Sequence, residues 1–126
     1  MMAMVKAFSY GLGGYEIAEF LQYHHIDYLA VAYVDEGVDL RKNGITVPIM
    51  VMNPEQNSYS TIIDYNLEPE IYSFRVLELF CEQLKIKVVS GEYPIHIKIE
   101  TGMNRLGFKE DEIDDLIQKL KLENVK

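Results

Sequence analysis

A single cysteine, Cys81, stands in the 126 residues, so no internal disulfide can form and a stable fold must rest on packing. Cations are also scarce. Twelve Lys and Arg against 20 Asp and Glu leave a net charge of -8, which argues against nucleic acid as a partner, because phosphate-backbone binding needs clustered positive charge. No apolar run approaches the roughly 18 residues that a membrane helix requires, and Met1 to Val5 is too short for a signal-peptide core. The expectation is a soluble, cytoplasmic protein with no membrane contact, and a lone thiol is compatible with a reducing compartment. Only 4 Pro and 8 Gly are present beside 48% hydrophobic and 25% charged residues, which excludes low complexity and fits one globular domain. A domain of this length buries roughly two-thirds of the surface its unfolded chain exposes.

Short aliphatic or β-branched runs alternate with amphipathic stretches, and the rhythm is βα repeated five times. The strand candidates are Met2 to Ala7, Tyr28 to Tyr33, Pro48 to Met52, Glu70 to Ser73 and Ile95 to Glu100. Helical stripes follow them. The first carries Ile17, Phe20 and Leu21, the fourth Leu77, Phe80, Cys81 and Leu84, and the fifth Ile113, Leu116, Ile117 and Leu120. A second helix is expected over Val34 to Asn43, ended by Gly44, and a third over about Gln56 to Tyr65, both weakened by Gly37 or by the β-branched Thr61, Ile62 and Ile63. Alternating βα units imply a parallel sheet, either an open doubly wound sheet or part of a (β/α)8 barrel. A complete barrel needs about 250 residues, so a barrel reading makes this chain a fragment with five of eight strands.

Lys6 falls at the C-terminal end of the first strand, where active-site groups gather in both parallel-sheet architectures. It is a candidate for Schiff-base chemistry or, alternatively, a solvated strand-end cation. In the fifth strand Ile95, Ile97 and Ile99 form one apolar face suited to packing under helices, while His96, Lys98 and Glu100 point the other way. Three ionisable groups on one face of a parallel strand require water, partners or a ligand. Arg105, on the loop that follows, suits carboxylate or phosphate recognition at the same rim as Lys6. The loop Ser9-Tyr10-Gly11-Leu12-Gly13-Gly14-Tyr15 could cradle a phosphate or be a flexible turn. The remaining features read as structural. His24-His25 ends a helix with no third ligand at metal spacing, so no metal is expected. Met50 and Met52 read as core filling and Cys81 as a buried small hydrophobe. Glu110 to Asp115 read as an acidic first helical turn.

These positions resemble the N-terminal barrel domain of bacterial alanine racemase, a pyridoxal-phosphate (PLP) enzyme. The matching segments are Val5-Lys6-Ala7 with Tyr10-Gly11, Leu29-Ala30-Val31-Ala32 with Asp35-Glu36-Gly37 and Leu40-Arg41, Gly44-Ile45 with Pro48-Ile49-Met50-Val51, and His96-Ile97-Lys98 with Thr101-Gly102-Met103 and Arg105-Leu106-Gly107-Phe108. They run in family order across nearly the whole chain. The resemblance implies that Lys6 holds the cofactor as an internal aldimine and is one of two acid/base groups. It also implies that Tyr10 touches the cofactor phosphate, that Arg105 binds near the substrate carboxylate and the cofactor's phenolic oxygen, and that Lys98 is carbamylated to support Arg105.

Phe8, Ser9 and Leu12 stand where family members usually have Asn, Ala and His, and Glu100 replaces the commoner Asp. In these features the chain is similar to racemase domains fused behind a cell-wall amide ligase. Residues 1–126 are thus expected to be a partial barrel domain, strands one to five, of an enzyme that interconverts L- and D-alanine for peptidoglycan synthesis. The parent is expected to be a homodimer that completes its site with a tyrosine from the opposite subunit. The fragment alone is expected to be inactive and to self-associate through the open edges of strands one and five. Two other readings compete. A non-catalytic PLP-binding barrel could share the lysine. A flavodoxin-like or receiver domain has the right length, but Phe8-Ser9 and Met52-Asn53 occupy the positions where a receiver needs its acidic residues.

Overall fold

The computed structural model describes residues 2–4, 22–52, 54–89, 91–99, 107–123 and 125–126, with backbone alone for residues 2–4. The first expected helix, the glycine loop, Lys6, Tyr10 and Arg105 lie outside the described residues, apart from Gln22 and Tyr23, which are helical ahead of a turn at His24 and His25. The chain divides into two compact units, residues 1–69 and 70–126.

In the first unit β1 (Met2–Met4), β2 (Tyr28–Val31) and β3 (Ile49–Val51) pair in sequence order, all parallel, and β3 pairs with the start of β4 (Glu68–Ile71). Register places Met4 opposite Ala30, Ala30 opposite Met50, and Met50 opposite Glu68. Alternation then sorts the side chains. Leu29, Val31, Ile49 and Val51 are fully buried with Ile62 and Leu67, as expected for the helix-covered face of a parallel sheet. Met50 lies on the other face of its strand and is only half-buried, so it is not the core filling expected of it.

Helix α1 spans Val34–Lys42. The Tyr33 N–H donates to Glu36 Oε1 at 2.9 Å, one half of a capping box. Asp35 and Glu36 sit in the first turn and Arg41 and Lys42 in the last, matching the helix dipole at both ends. Gly44 follows with φ +90, a conformation that stops the helix and that glycine adopts without strain. The third expected helix begins as a 3-10 turn (Gln56–Ser58) and continues as α2 (Tyr59–Asp64).

In the second unit the end of β4 pairs in parallel with β5 (His96–Ile97), Glu70 opposite His96 and Ile71 opposite Ile97. Helix α3 (Phe74–Ile86) is capped by Ser73, whose Oγ accepts from the Val76 N–H at 3.2 Å. Its expected stripe, Leu77, Phe80, Cys81 and Leu84, is buried throughout. Strand β4 begins two residues earlier than expected, at Glu68, because Pro69 sits in the ladder opposite Val51 and is fully buried.

Three expectations for the end of the chain are corrected. The acidic run is divided: Glu110–Glu112 form a separate 3-10 turn, while Asp114 and Asp115 stand in the first turn of α4 (Ile113–Leu122), as expected. On α4 only Leu116 is buried, whereas Ile117 is 45% exposed, so the four-residue apolar stripe does not all face the core. On β5, Ile99 is 44% exposed rather than packed under a helix. It bridges to Phe108, and Phe108 fills the core instead, edge-on to Phe74 with ring centroids 5.1 Å apart.

The segment leading into β5 is also not an open edge. Tyr93 bridges in parallel to Val125, the Lys126 N–H donates to the Tyr93 carbonyl at 2.9 Å, and the Ile95 N–H donates to the Lys126 carbonyl at 2.9 Å. The strand order is β1-β2-β3-β4-β5. Sequential parallel order belongs to a barrel wall, since a doubly wound sheet places its first strand in the interior.

Candidate active site

Of the four residues singled out for chemistry, Lys98 is the one described. Its backbone is held on both sides: the Lys98 N–H donates to the Ile71 carbonyl at 2.9 Å and its carbonyl accepts from the Phe108 N–H at 2.8 Å. The residue is therefore tied to β4 and, through Phe108, to the core beneath.

Alternation puts Lys98 with His96 on the face of β5 opposite Ile97, and register puts Glu70 beside His96 on that face. Lys98 Nζ stands 3.9 Å from Glu70 Oε1, with the two side chains 41% and 15% exposed. Burial pushes the Glu70 carboxyl above the ordinary carboxylate range, while Lys98 and His96 oppose that rise. The ionisable face expected from His96, Lys98 and Glu100 thus meets a further acidic group, Glu70 of β4. Sequence reading assigned Glu70 to a strand and missed this role. The available signal was the pair of glutamates two apart in Glu68-Pro69-Glu70-Ile71, charges that a buried parallel strand does not ordinarily contain.

In the first unit Glu68 is itself buried. It accepts a hydrogen bond from Tyr28, and burial followed by the Glu68 charge pushes the Tyr28 phenol up. Burial, reinforced by Glu123, likewise pushes the Cys81 thiol up to about 11, the environment of an inert rather than a nucleophilic cysteine.

Among the described residues no three His, Cys, Asp or Glu side chains form a group that could hold a metal ion, and no helix is long and apolar enough to cross a membrane. A cofactor with an aldehyde and a phosphate would need a primary amine, donors for the phosphate, and a cation for the substrate carboxylate. The sequence contains residues of these chemical types in Lys6, Tyr10 and Arg105, and among the described residues Lys98 and Glu70 stand 3.9 Å apart.

The family profile described as "Alanine racemase, N-terminal domain" matches residues 1–126. The chain is 36% identical over 126 residues to an alanine racemase of Thermodesulfovibrio yellowstonii, covering 100% of this chain and 34% of that protein. It is 35% identical to an amino-acid racemase of Enterococcus faecalis, covering 100% of this chain and 17% of that one. Among solved structures, an alanine racemase of Clostridium difficile 630 superposes with TM-score 0.90 at 33% identity, covering 99% of this chain and 33% of the other. The sheet is thus a part of a (β/α)8-type barrel. The chain spans about a third of the length of the curated alanine racemases it matches.

Proposed function

This chain belongs to the alanine racemase N-terminal domain family, and from that premise we propose that it carries the cofactor-binding wall of a PLP-dependent racemase that interconverts L- and D-alanine. The match of residues 1–126 to the family profile carries this reading, with Lys6, Tyr10, Lys98 and Arg105 standing in family order. Residues 1–126 are part of the barrel domain of a longer racemase, whose product serves peptidoglycan synthesis and whose active species is a homodimer.

When bound, PLP withdraws electrons from the substrate α-carbon, so that its C–H becomes acidic enough for a side chain to take the proton. Lys6 would hold the cofactor through its amine and would serve as the acid/base group on one face of that carbon. Tyr10 donates to the cofactor phosphate. Arg105 would bind the substrate carboxylate through its bidentate guanidinium. Lys98, as a carbamate, presents an anion to Arg105 and keeps its guanidinium in place. Racemisation needs a second proton-transfer group on the opposite face, which the partner subunit supplies. Residues 1–126 expressed alone, without that group, are inactive.

Borohydride reduction after incubation with PLP, followed by peptide mapping, tests the assignment of Lys6. Stoichiometric labelling at Lys6 at micromolar cofactor in the intact protein is expected. Labelling spread evenly over surface lysines would contradict it.

A further inference from the structure

We propose that Glu70 is a positioning residue for Lys98: it takes the proton that Lys98 must lose to react with carbon dioxide, and as the neutral acid it then donates a hydrogen bond to the carbamate. The proposal rests on the racemase reading of Lys98 and assigns a role to a residue outside the matched positions.

A lysine cannot attack carbon dioxide as an ammonium ion, and a carbamate is repelled by an ionised carboxylate. Glu70 Oε1, 3.9 Å from Lys98 Nζ, bears on both problems. The backbone bonds from Lys98 to Ile71 and Phe108 fix the root of the lysine, while its side chain is 41% exposed and open to dissolved gas. The Glu70 side chain is far more enclosed, at 15% exposed, and burial already favours its protonated form. Among the described residues, His96 lies opposite Glu70 on β5 and Glu68 lies two residues back on its own strand.

Lys98 passes one proton to the Glu70 carboxylate, and the amine lone pair forms a bond to the carbon of carbon dioxide. One C=O π pair moves onto oxygen, and the second nitrogen-bound proton leaves to water. An ammonium–carboxylate pair and one carbon dioxide become a carbamate, a carboxylic acid and one free proton. In this exchange only one proton is released per carbamate, because Glu70 retains the other. Beside a residue that cannot accept a proton, Lys98 releases both to water.

The test is 13C NMR of the intact protein with labelled bicarbonate, at fixed dissolved carbon dioxide across neutral pH, with the Lys98 resonance assigned by its loss in Lys98→Arg. The ratio of carbamylated to uncarbamylated, ammonium-form Lys98 should rise about tenfold per pH unit in the wild type and about a hundredfold per pH unit in Glu70→Gln, following proton linkage. Glu70→Asp should keep the one-proton dependence. A hundredfold dependence in the wild type, a slope unchanged by Glu70→Gln, or no carbamate at Lys98 would each overturn the role of Glu70. Racemisation by the same samples separates the two ideas, since activity without a carbamate signal would sink the Glu70 proposal and leave the racemase reading standing.

Discussion

Arg41 reaches twenty-four positions along the chain to Tyr65, its Nε donating to the Tyr65 carbonyl at 3.0 Å. Its Nη1 donates to the carbonyls of Ile45 and Val47 at 2.9 and 2.8 Å, and its Nη2 to Asn66 at 3.1 Å. One planar fork thus ties the end of α1 to the turn after α2. An ammonium cannot reproduce that geometry. Arg41→Lys should therefore lower stability by roughly 1–3 kcal/mol, the cost of leaving partly buried carbonyls unpaired. Urea unfolding checks this, and an unchanged midpoint would contradict it.

Gly37 lies against Leu67. A Cβ there would stand 3.0 and 3.1 Å from the two methyls of Leu67, which is fully buried and cannot swing away. Alanine gains up to about 1 kcal/mol of helix propensity, but overpacking a tight core costs roughly 1–3 kcal/mol. A net loss is expected for Gly37→Ala, with recovery in the double variant that also shortens Leu67 to Val.

Cys81 should be slow to alkylate. With its thiol at about 11 instead of 9.0, the reactive thiolate fraction near neutral pH falls about a hundredfold, since each unit is a factor of ten. Burial slows it further. Iodoacetamide labelling should be at least that much slower in the folded chain than in urea, and equal rates would contradict the buried environment.

Glu70 gives a pH dependence of stability. Its carboxyl is raised in the folded chain by burial, so the folded state binds that proton more tightly than the unfolded one. Its contribution is therefore most favourable below the ordinary carboxylate range and is lost as pH rises through the raised value. Glu70→Gln should remove this part of the pH profile in denaturant titrations. An identical profile in the variant would show that Glu70 titrates normally.

Much of the βα rhythm could be read directly. Helix α1 with its acidic start and Gly44 stop, and the stripe Leu77, Phe80, Cys81, Leu84 on α3, follow from spacing and capping chemistry alone. Where the reading failed, long-range competition decided. Ile99 is left 44% exposed, while Phe108, which bridges to it, is fully buried. Pro69 looks like a strand breaker in sequence, yet it is fully buried opposite Val51. Glu70 is invisible as a partner of Lys98 because their pairing depends on the register of β4 against β5, which no local pattern encodes. The assignments of Lys6, Tyr10 and Arg105 came from motif resemblance, and their positions lie outside the described residues.

The most direct test of the racemase assignment is the α-proton of alanine, followed by proton NMR in heavy water with the intact protein and PLP. The account predicts exchange of that proton for deuterium from both L- and D-alanine, abolished in Lys6→Ala. Retention of the α-proton by a protein that has captured PLP on Lys6 would contradict it and make the chain part of a cofactor carrier.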